Sequence, residues 1–219
     1  TILDPFAGCG TVLFQSKFNE IESIGIEISP LLQFIADVKV NSWDIYPNYL
    51  KQIYNNLDYS TLANPPKFLK SEKQFEPRIL ENLLRIKHGI NSFEIRTEKQ
   101  KKVIDLIKVA FSSILIDSSN LKRGPCLGYS KNKNLEDVTP IVLMNQKIDN
   151  ICDDLKFIKK EFSYLIIIPS KIFLQNSKYF HSPKKYDLVI TSPPYMNGMD
   201  YVINYKIETG WLDFAEEQK

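Results

Sequence analysis

A short segment near the carboxyl end of the chain has residue types that could recognise an amino group on a flat ring. Thr191-Ser192-Pro193-Pro194-Tyr195 follows Tyr186 to Ile190, whose apolar residues predict a buried parallel strand. Two consecutive prolines fix two φ angles and leave carbonyl acceptors without N–H donors. The Ser192 hydroxyl and the Pro193 carbonyl could therefore accept the hydrogens of a nucleobase amine, while the Tyr195 ring stacks on the base. An ordinary turn with a surface tyrosine would explain the pentapeptide alone.

A glycine-containing turn near the amino end is a candidate cradle for a nucleotide-like cofactor. Thr1 to Asp4 predicts the end of a buried strand, Val12 to Phe18 predicts a helix, and Pro5-Phe6-Ala7-Gly8-Cys9-Gly10-Thr11 lies between them. Glycine lets the backbone approach a ligand closely, and the start of a helix presents free N–H groups. A packing turn of any α/β protein would give the same pattern.

A second predicted strand, Ser23 to Ile28, carries one acidic residue near its carboxyl end. Glu27 follows the glycine turn by about 20 residues, the spacing at which a carboxylate meets the two hydroxyls of a ribose. A solvated acid at a strand end is the alternative. Ser29 and Pro30 then predict the N-cap and the first residue of a helix that runs to about Asn41.

Composition and length are typical of one α/β domain with an additional small lobe. The 219 residues are 43% hydrophobic and carry a formal net charge of +2, so any nucleic-acid surface must arise from local clustering. The three cysteines lack metal-ligand spacing, which predicts no metal site and a reducing, cytoplasmic setting. No apolar run predicts a membrane span. Because the sequence begins in a strand without methionine, we expect it to be a piece of a longer protein.

The middle of the chain differs in character and predicts a helical insert. Ser42 to about Ser163 is polar and rich in lysine, and helical periodicity is evident over Phe75 to His88 and over Val103 to Leu115. A third helix is predicted to begin at Thr139-Pro140. We therefore expect a catalytic α/β domain formed by residues 1–44 and 164–219, and a lobe formed by residues 45–163 that could contact DNA.

Basic residues cluster in a loop of this predicted insert. Lys122, Arg123, Lys131 and Lys133 are candidates for phosphate contacts, since a protein that acts on nucleic acid needs a cationic surface. A solvated charge run is the alternative explanation.

The sheet is predicted to resume after the insert. Either Tyr164 to Ile168 or Lys171 to Leu174 could supply the next strand, and the sequence leaves this open. Asn176 follows at a strand end, where its amide could meet the adenine of a cofactor or simply cap a turn. Tyr201 to Phe214 predicts a final helix.

In combination, these segments resemble a known family. Asp4 to Thr11 resembles motif I of the S-adenosylmethionine (AdoMet)-dependent amino methyltransferases of DNA, and Glu27 stands where their motif II acid stands. Thr191 to Tyr195 resembles their catalytic motif IV, in the Ser-Pro-Pro-Tyr form of the cytosine-N4 branch. Asn176 stands where such enzymes usually have an aspartate. The family includes restriction-modification methylases with a helical insert between motifs II and IV.

The resemblance implies an α/β fold with a partial Rossmann-like methyltransferase sheet and a helical insertion. It implies AdoMet as cofactor and DNA as substrate, with a cognate restriction endonuclease as a candidate partner. It assigns catalysis to Ser192, Pro193, Pro194 and Tyr195. It assigns cofactor binding to Asp4, Pro5, Phe6, Ala7, Gly8, Gly10, Thr11, Glu27, Ile28, Asn176 and Thr191.

The function so implied is site-specific methyl transfer from AdoMet to an exocyclic base amine, with N4 of cytosine favoured. Three alternatives stay open: an N6-adenine DNA methyltransferase, an RNA amino methyltransferase and a non-catalytic nucleic-acid-binding remnant. Each catalytic version requires that the glycine turn and the double-proline segment lie beside each other on adjoining strands.

Overall fold

Strands and helices alternate over the first 41 residues, and helices dominate the middle of the chain. The structure, a computed structural model, describes residues 1–124, 126–130, 133, 135–193 and 200–215. Two 3₁₀ helices span Ser163–Ile167 and Ser177–Tyr179. The strands are β1 (Ile2–Asp4), β2 (Ser23–Glu27), β3 (Leu121–Lys122), β4 (Gly128–Tyr129), β5 (Ser170–Leu174) and β6 (Leu188–Val189). The α-helices are α1 (Thr11–Phe18), α2 (Pro30–Asn41), α3 (Pro47–Asn55), α4 (Ser71–Gln74), α5 (Pro77–Ser92), α6 (Glu98–Ile114), α7 (Thr139–Glu161) and α8 (Tyr201–Trp211).

A parallel four-stranded sheet in the order β5-β2-β1-β6 organises the part of the chain that carries the predicted motifs. Ile2 of β1 lies opposite Ser23 of β2 on one side and Leu188 of β6 on the other. The chain moves from β1 through β2 to β5 in one direction, and β6 joins on the other side of β1. The gap between β1 and β6 is thus a topological switch point, where open α/β sheets bind ligands. The fold is that of a Rossmann-like methyltransferase.

The described residues divide into two units. Residues 1–46 and 154–193 form the sheet unit, and residues 47–153 and 200–215 form the helical unit. The sequence predicted different boundaries, with residues 1–44 and 164–219 together. In the structure, residues 154–163 group with the sheet, and residues 200–215 group with the helices because Trp211 of α8 packs between the rings of Phe75 and Phe111.

The sheet unit is closed by helices that follow β1 and β2. Leu13 of α1 and Val40 of α2 form a buried cluster with Ala7 of the glycine turn. The predicted start of α2 is confirmed, since the Ser29 hydroxyl accepts a hydrogen bond from the Leu32 amide and a proline occupies the first turn. A second cluster contains Trp43, Ile158 and Leu165, with Phe14, Phe18, Phe162, Ile166 and Ile168 packed against it.

The helical unit has its own apolar core. The predicted helices at its centre are confirmed as α5 and α6, and α6 begins with a capping box in which Thr97 and Gln100 satisfy each other's backbone N–H groups. Their fully buried residues include Ile79, Leu83, Val103, Ile107 and Ile114. The insert is not wholly helical, because β3 and β4 form a short antiparallel ribbon.

The structure decides one alternative that the sequence left open and corrects one expectation about the sheet. Tyr164 to Ile168 does not form a strand; it lies in a 3₁₀ helix that buries Leu165, and β5 is the run that pairs with β2. The strand before the double-proline segment is parallel, as predicted, but it is not buried. Leu188 and Val189 are 50% and 55% exposed, because β6 is the outermost strand of the sheet among the described residues.

Candidate active site

The glycine turn between β1 and α1 is held close to the end of β2. The Ala7 amide donates to the Ile26 carbonyl at 2.9 Å, and the Gly10 amide donates to the Ala7 carbonyl at 2.8 Å. Gly8 and Gly10 have φ values of +53° and +76°. Both lie in the left-handed region, which residues with a Cβ rarely adopt.

The two glycines face different surroundings. A Cβ on Gly10 would lie 2.8 Å from the Cβ of Ala36, so this position is required by the packing of α2 against the turn. A Cβ on Gly8 would meet nothing within 4 Å. The turn therefore has a packed side at Gly10 and an open side at Gly8, from which a ligand can approach the backbone.

Glu27 ends β2 and is only 9% exposed. Its carboxylate accepts a hydrogen bond from the Gly8 amide at 2.8 Å and one from the Ser29 amide at 2.7 Å. A carboxylate offers about four lone-pair positions, so acceptor capacity remains after these two bonds. Glu27 thus fixes the turn and keeps an acceptor at the open side of Gly8.

Asp4, at the end of β1, connects the glycine turn with the predicted catalytic segment. Its buried carboxylate accepts from the Phe6 amide at 3.1 Å and from the Thr191 hydroxyl. Burial raises the pKa of Asp4; the two hydrogen bonds oppose that rise, and the nearby Glu27 carboxylate adds to it. The link between Asp4 and Thr191 joins the carboxyl ends of β1 and β6.

The residues after β6 lie at the same end of the sheet as the glycine turn. The Ile190 amide donates to the Leu3 carbonyl at 3.0 Å, which extends the pairing of β6 with β1. Ser192 and Pro193 follow directly and are exposed. Pro194 and Tyr195, the other two predicted catalytic residues, lie outside the described residues.

Apolar side chains border the open side of the turn. Phe6, in the turn, is 41% exposed, and Ile28, directly after Glu27, is 65% exposed. Pro5 is half-buried, and Thr11 is the first residue of α1. Exposed apolar groups beside the open side of Gly8 are suited to covering a flat ring such as adenine.

Asn176 follows β5 and serves as a cap in the structure. Its side-chain oxygen accepts from the Lys178 amide at 3.0 Å, at the start of the 3₁₀ helix Ser177–Tyr179. This is the second of the two roles that the sequence left open. The residue is exposed at the carboxyl end of β5.

The predicted phosphate-contacting residues have divergent environments. Lys122 is exposed on β3, whereas Lys133 donates to the Ile116 carbonyl at 2.6 Å. Arg123 forms an ion pair with the buried Glu208. Arg123, whose side chain is 42% exposed, and Lys133 thus both bond to residues of the helical unit, and Lys131 lies outside the described residues.

Sequence reasoning did not predict the pairing of Arg123 with Glu208. The two residues are 85 positions apart, so no local pattern joins them. The sequence did indicate that Glu208 is buried, because it lies one turn before Trp211 on the same face of the predicted helix. A buried carboxylate requires a partner, but the sequence does not say which cation provides it.

Within the described ranges, no helix is long and apolar enough to cross a bilayer. The same residues contain no group of three or more His, Cys, Asp or Glu side chains that could hold a metal ion.

The sheet order, the glycine turn after β1 and the exposed Ser-Pro segment after β6 define the class: a Rossmann-like methyltransferase fold with its candidate site at the β1–β6 switch point. No protein-family model matches the chain, and no solved structure matches it either.

Curated proteins similar to this chain are Type II methyltransferases. M.AvaI of Nostoc sp. is 26% identical over 247 residues, which cover 98% of this chain and 48% of that protein. M.BsoBI of Geobacillus stearothermophilus is 26% identical over 246 residues, covering 100% and 48%. M.MjaII of Methanocaldococcus jannaschii is 52% identical over 44 residues, 20% of this chain and 8% of that protein. The chain spans about half the length of the first two relatives. The resemblance to restriction-modification methyltransferases is confirmed.

Proposed function

We propose that this chain carries the cofactor-binding and catalytic part of an AdoMet-dependent DNA methyltransferase that modifies an exocyclic base amine, and that the amine is N4 of cytosine. The observation that carries the proposal is the parallel pairing of β1 with β6. This pairing brings the glycine turn and Ser192 to one edge of the sheet, at the switch point where ligands bind. The Type II methyltransferases among the relatives support DNA as the polymer.

The residues at this edge fit AdoMet. The open side of Gly8 leaves room for a ligand against the backbone, and Glu27 retains acceptor capacity for ribose hydroxyls. Phe6 and Ile28 offer exposed apolar surface for the adenine ring. When bound, AdoMet supplies a methyl group that is activated by a positively charged sulfur.

Ser192 and Pro193 would orient the acceptor amine. The amino group of a nucleobase is a weak nucleophile because its lone pair is delocalised into the ring. A hydroxyl and a carbonyl that accept its two hydrogens favour a pyramidal nitrogen and help to withdraw a proton as the new bond forms. A target base inside a duplex must leave the stack to reach these groups, and Tyr195 is the proposed stacking partner for the flipped base.

Two substitutions test this division of roles. Ser192→Ala should lower the single-turnover rate of methyl transfer by at least about tenfold, because proton-transfer assistance contributes about 10²-fold or more. Its dissociation constant for AdoMet should stay within about twofold of the wild type, since one exposed hydroxyl is removed. Glu27→Gln should weaken AdoMet binding instead. Calorimetry gives the affinities and rapid quench gives the rates, with Ser182→Ala as a control serine in the same unit.

An equal loss of AdoMet affinity in both variants would contradict the assignment. The acceptor is identified separately by mass spectrometry of nucleosides from DNA and RNA after reaction. N4-methylcytosine supports the proposal, N6-methyladenine moves the acceptor to adenine, and a methylated ribonucleoside indicates an RNA enzyme. A full-length protein that neither binds AdoMet nor methylates any polymer would be the non-catalytic remnant.

We also propose that the helical unit contacts DNA and that β3 contributes to the contact. Lys122 is exposed on β3, and Tyr129 on the paired β4 is 56% exposed. Lys122→Ala should reduce the slope of log affinity against log salt by about one, as expected for one lost phosphate contact. Lys67→Ala removes one exposed charge elsewhere in the unit and is the control. An unchanged slope in Lys122→Ala argues against this surface. Protection of methylated DNA from digestion would identify the proposed partner endonuclease.

A further inference from the structure

A cavity of about 440 Å³ lies within the helical unit, between the helices α3, α5 and α7. Among the residues that the structure describes, its lining combines two tyrosine rings and two isoleucine side chains with three asparagine amides and one arginine. Sites that hold small molecules in proteins have volumes of about 300–1,000 Å³ and a similar mixture of apolar surface and a few polar groups. The cavity is therefore large enough for one small ligand.

The two tyrosine rings provide a flat surface in the cavity. Tyr54 and Tyr59 are half-buried, and their ring centres lie 6.4 Å apart with 72° between the ring planes. Because the rings are not stacked in parallel, ring surface stays available to a flat ligand. Ile86 is buried, whereas Ile141 is 42% exposed at the mouth. Burial raises the pKa of both tyrosines, so their hydroxyls stay uncharged at neutral pH.

Hydrogen bonds hold the tyrosines in place within the unit. The Tyr59 hydroxyl donates to the Tyr54 carbonyl at 3.0 Å, and the Arg85 guanidinium donates to the Tyr59 carbonyl at 3.1 Å. The loop that carries Tyr59 also lies close to α5, since a Cβ on Gly89 would lie 3.0 Å from the Asp58 carbonyl oxygen. Aromatic residues that are already fixed lose little conformational entropy when a ligand binds.

The asparagine amides carry the hydrogen-bonding capacity of the cavity. The Tyr54 hydroxyl donates to Asn145 Oδ1 at 2.7 Å, which leaves the Asn145 amino group for a ligand. The Asn82 amino group donates to the Asp137 carbonyl at 2.8 Å, which leaves Asn82 Oδ1 as an acceptor. Asn55 is exposed, and its side-chain amide makes no hydrogen bond to another residue that the structure describes. The lining thus offers donors and acceptors beside a flat apolar surface.

The charges at the cavity are compensated. Arg85, the cation of the lining, pairs with Glu81 at 2.8 Å. Asp149, whose charge acts on Tyr54, pairs with Lys51 at 2.7 Å. Tight binding of a phosphate or a carboxylate requires a cation that is available to it. The lining therefore favours an uncharged ligand.

We propose that this cavity binds an adenine base. A ligand that matches the lining must be flat and uncharged and must donate and accept hydrogen bonds at its edge, and a nucleobase has these properties. Among the bases, adenine suits an asparagine amide, which accepts from its N6 amino group and donates to its N7. The adenine can belong to a free nucleoside or to an unpaired nucleotide of a DNA strand. The proposal does not require that the chain transfers methyl groups, so it stands apart from the proposed function.

The affinity is tested by titrating the chain with adenosine while AdoMet is kept at a saturating concentration, so that the cofactor cradle is occupied. Isothermal titration calorimetry should detect adenosine binding. Asn55→Ala should weaken it at least about fivefold, the lower end of what a bidentate pair of an amide with a base contributes. Asn56→Ala is the matched control and should stay within about twofold of the wild type, because Asn56 is the next residue, is also exposed and is not in the lining.

The position of the site and the source of the base are tested by photocrosslinking with AdoMet in excess. 8-Azidoadenosine should label residues 54–59 or 82–86, identified by mass spectrometry of the peptides. A single-stranded DNA oligonucleotide that carries one 8-azidoadenine is the second arm. Labelling of these segments by the free nucleoside supports a small-molecule ligand. Labelling by the oligonucleotide alone supports a base of a DNA strand, and the loss in Asn55→Ala should then appear in the labelling yield.

Several results would overturn the inference. Neither probe would label the two segments, or Asn55→Ala and Asn56→Ala would bind and crosslink equally well. Labelling confined to the glycine turn would mean that adenosine enters the cofactor cradle only. A chain that binds adenine in the cavity but methylates no polymer refutes the proposed function alone, whereas an active methyltransferase whose cavity takes no label refutes the adenine site alone.

Discussion

Substituting each of the two glycines of the turn by alanine tests separately whether its surroundings bind a ligand or pack against the protein. Gly8→Ala places the methyl on the open side, where nothing lies within 4 Å, and Gly10→Ala places it 2.8 Å from the Cβ of Ala36. The two substitutions are chemically identical, and both fall at positive φ. Any difference between them therefore reports the surroundings of the added methyl.

The expected free energies follow from this geometry. A left-handed alanine costs about 1–2 kcal/mol, and this is the whole expected loss of stability in Gly8→Ala. Gly10→Ala adds an overlap, because carbon atoms prefer a separation of about 3.5–4.0 Å, and overpacking of this kind costs about 1–3 kcal/mol more. For a chain of this size, each kcal/mol lowers the melting temperature by about 2–4 °C. Gly10→Ala should therefore unfold at a temperature several degrees below that of Gly8→Ala.

The less stable variant should not be the weaker binder: Gly8→Ala should lose more AdoMet affinity than Gly10→Ala. Gly8→Ala should bind AdoMet at least about tenfold more weakly, about 1.4 kcal/mol, because the methyl fills the space that the cofactor needs. Gly10→Ala should bind AdoMet more tightly than Gly8→Ala does, although it is the less stable of the two variants. Differential scanning calorimetry gives the melting temperatures, and isothermal titration gives the affinities at a temperature where all variants are folded.

The reasoning is refuted if Gly8→Ala binds AdoMet as tightly as the wild type. That result would mean that the open side of the turn is not the cofactor surface. A Gly8→Ala protein as unstable as Gly10→Ala would also contradict it, because the open side would then be a packed side.

Further predictions concern the link between β1 and β6 and the core beneath it. Burial raises the pKa of Asp4, so the folded chain keeps this proton to a higher pH than the unfolded chain, and the associated stability is lost as pH rises above the ordinary value of 3.8. Asp4→Asn should remove this decline, which urea titrations at a series of pH values measure; an unchanged profile contradicts it. Thr191→Val removes a hydrogen bond to the buried Asp4 and should cost about 1–3 kcal/mol, whereas an unaffected free energy of unfolding would deny the bond. Leu13→Ala should cost about 2–5 kcal/mol, because Leu13 is completely buried between the sheet and α2; a smaller loss in chemical denaturation would mean that the core collapses around the gap.

The local elements of the sheet unit could be predicted because their determinants are adjacent in sequence. Ser29 and Pro30 predicted the start of α2, and in the structure Ser29 is the N-cap and Pro30 the first residue of that helix. The spacing of Glu27 from the glycine turn predicted a carboxylate that binds the ribose hydroxyls. Its bond to the Gly8 amide holds it at the turn, and ribose binding stays a prediction. Helix caps and turns that depend on neighbouring residues can thus be predicted from a single sequence.

Properties set by distant pairing could not be predicted in the same way. The apolar run before Thr191 has the composition of a buried strand, yet Leu188 and Val189 are exposed because, among the described residues, β1 alone pairs with β6. The run from Tyr164 to Ile168 is apolar because it packs Leu165 against Trp43 and not because it joins the sheet. The ion pair of Arg123 with Glu208 could not be predicted because the two residues are 85 positions apart in sequence. Hydrophobic periodicity identifies burial but not the neighbour that provides it.

The interleaving of the two units has a consequence for biosynthesis. Ser23 of β2 meets its β5 partner Ser170 147 residues later, and Ile2 of β1 pairs with Leu188 of β6. The helical unit meanwhile receives α8 last of all its described elements. During translation both units therefore stay incomplete until β5, β6 and α8 have been synthesised, and the outer edges of β1 and β2 stay unpaired until then. Termination just after Val189 would keep the four strands of the sheet but would remove α8 and its buried tryptophan. Such a truncation would therefore destabilise the helical unit, most of which is encoded in the middle of the sequence.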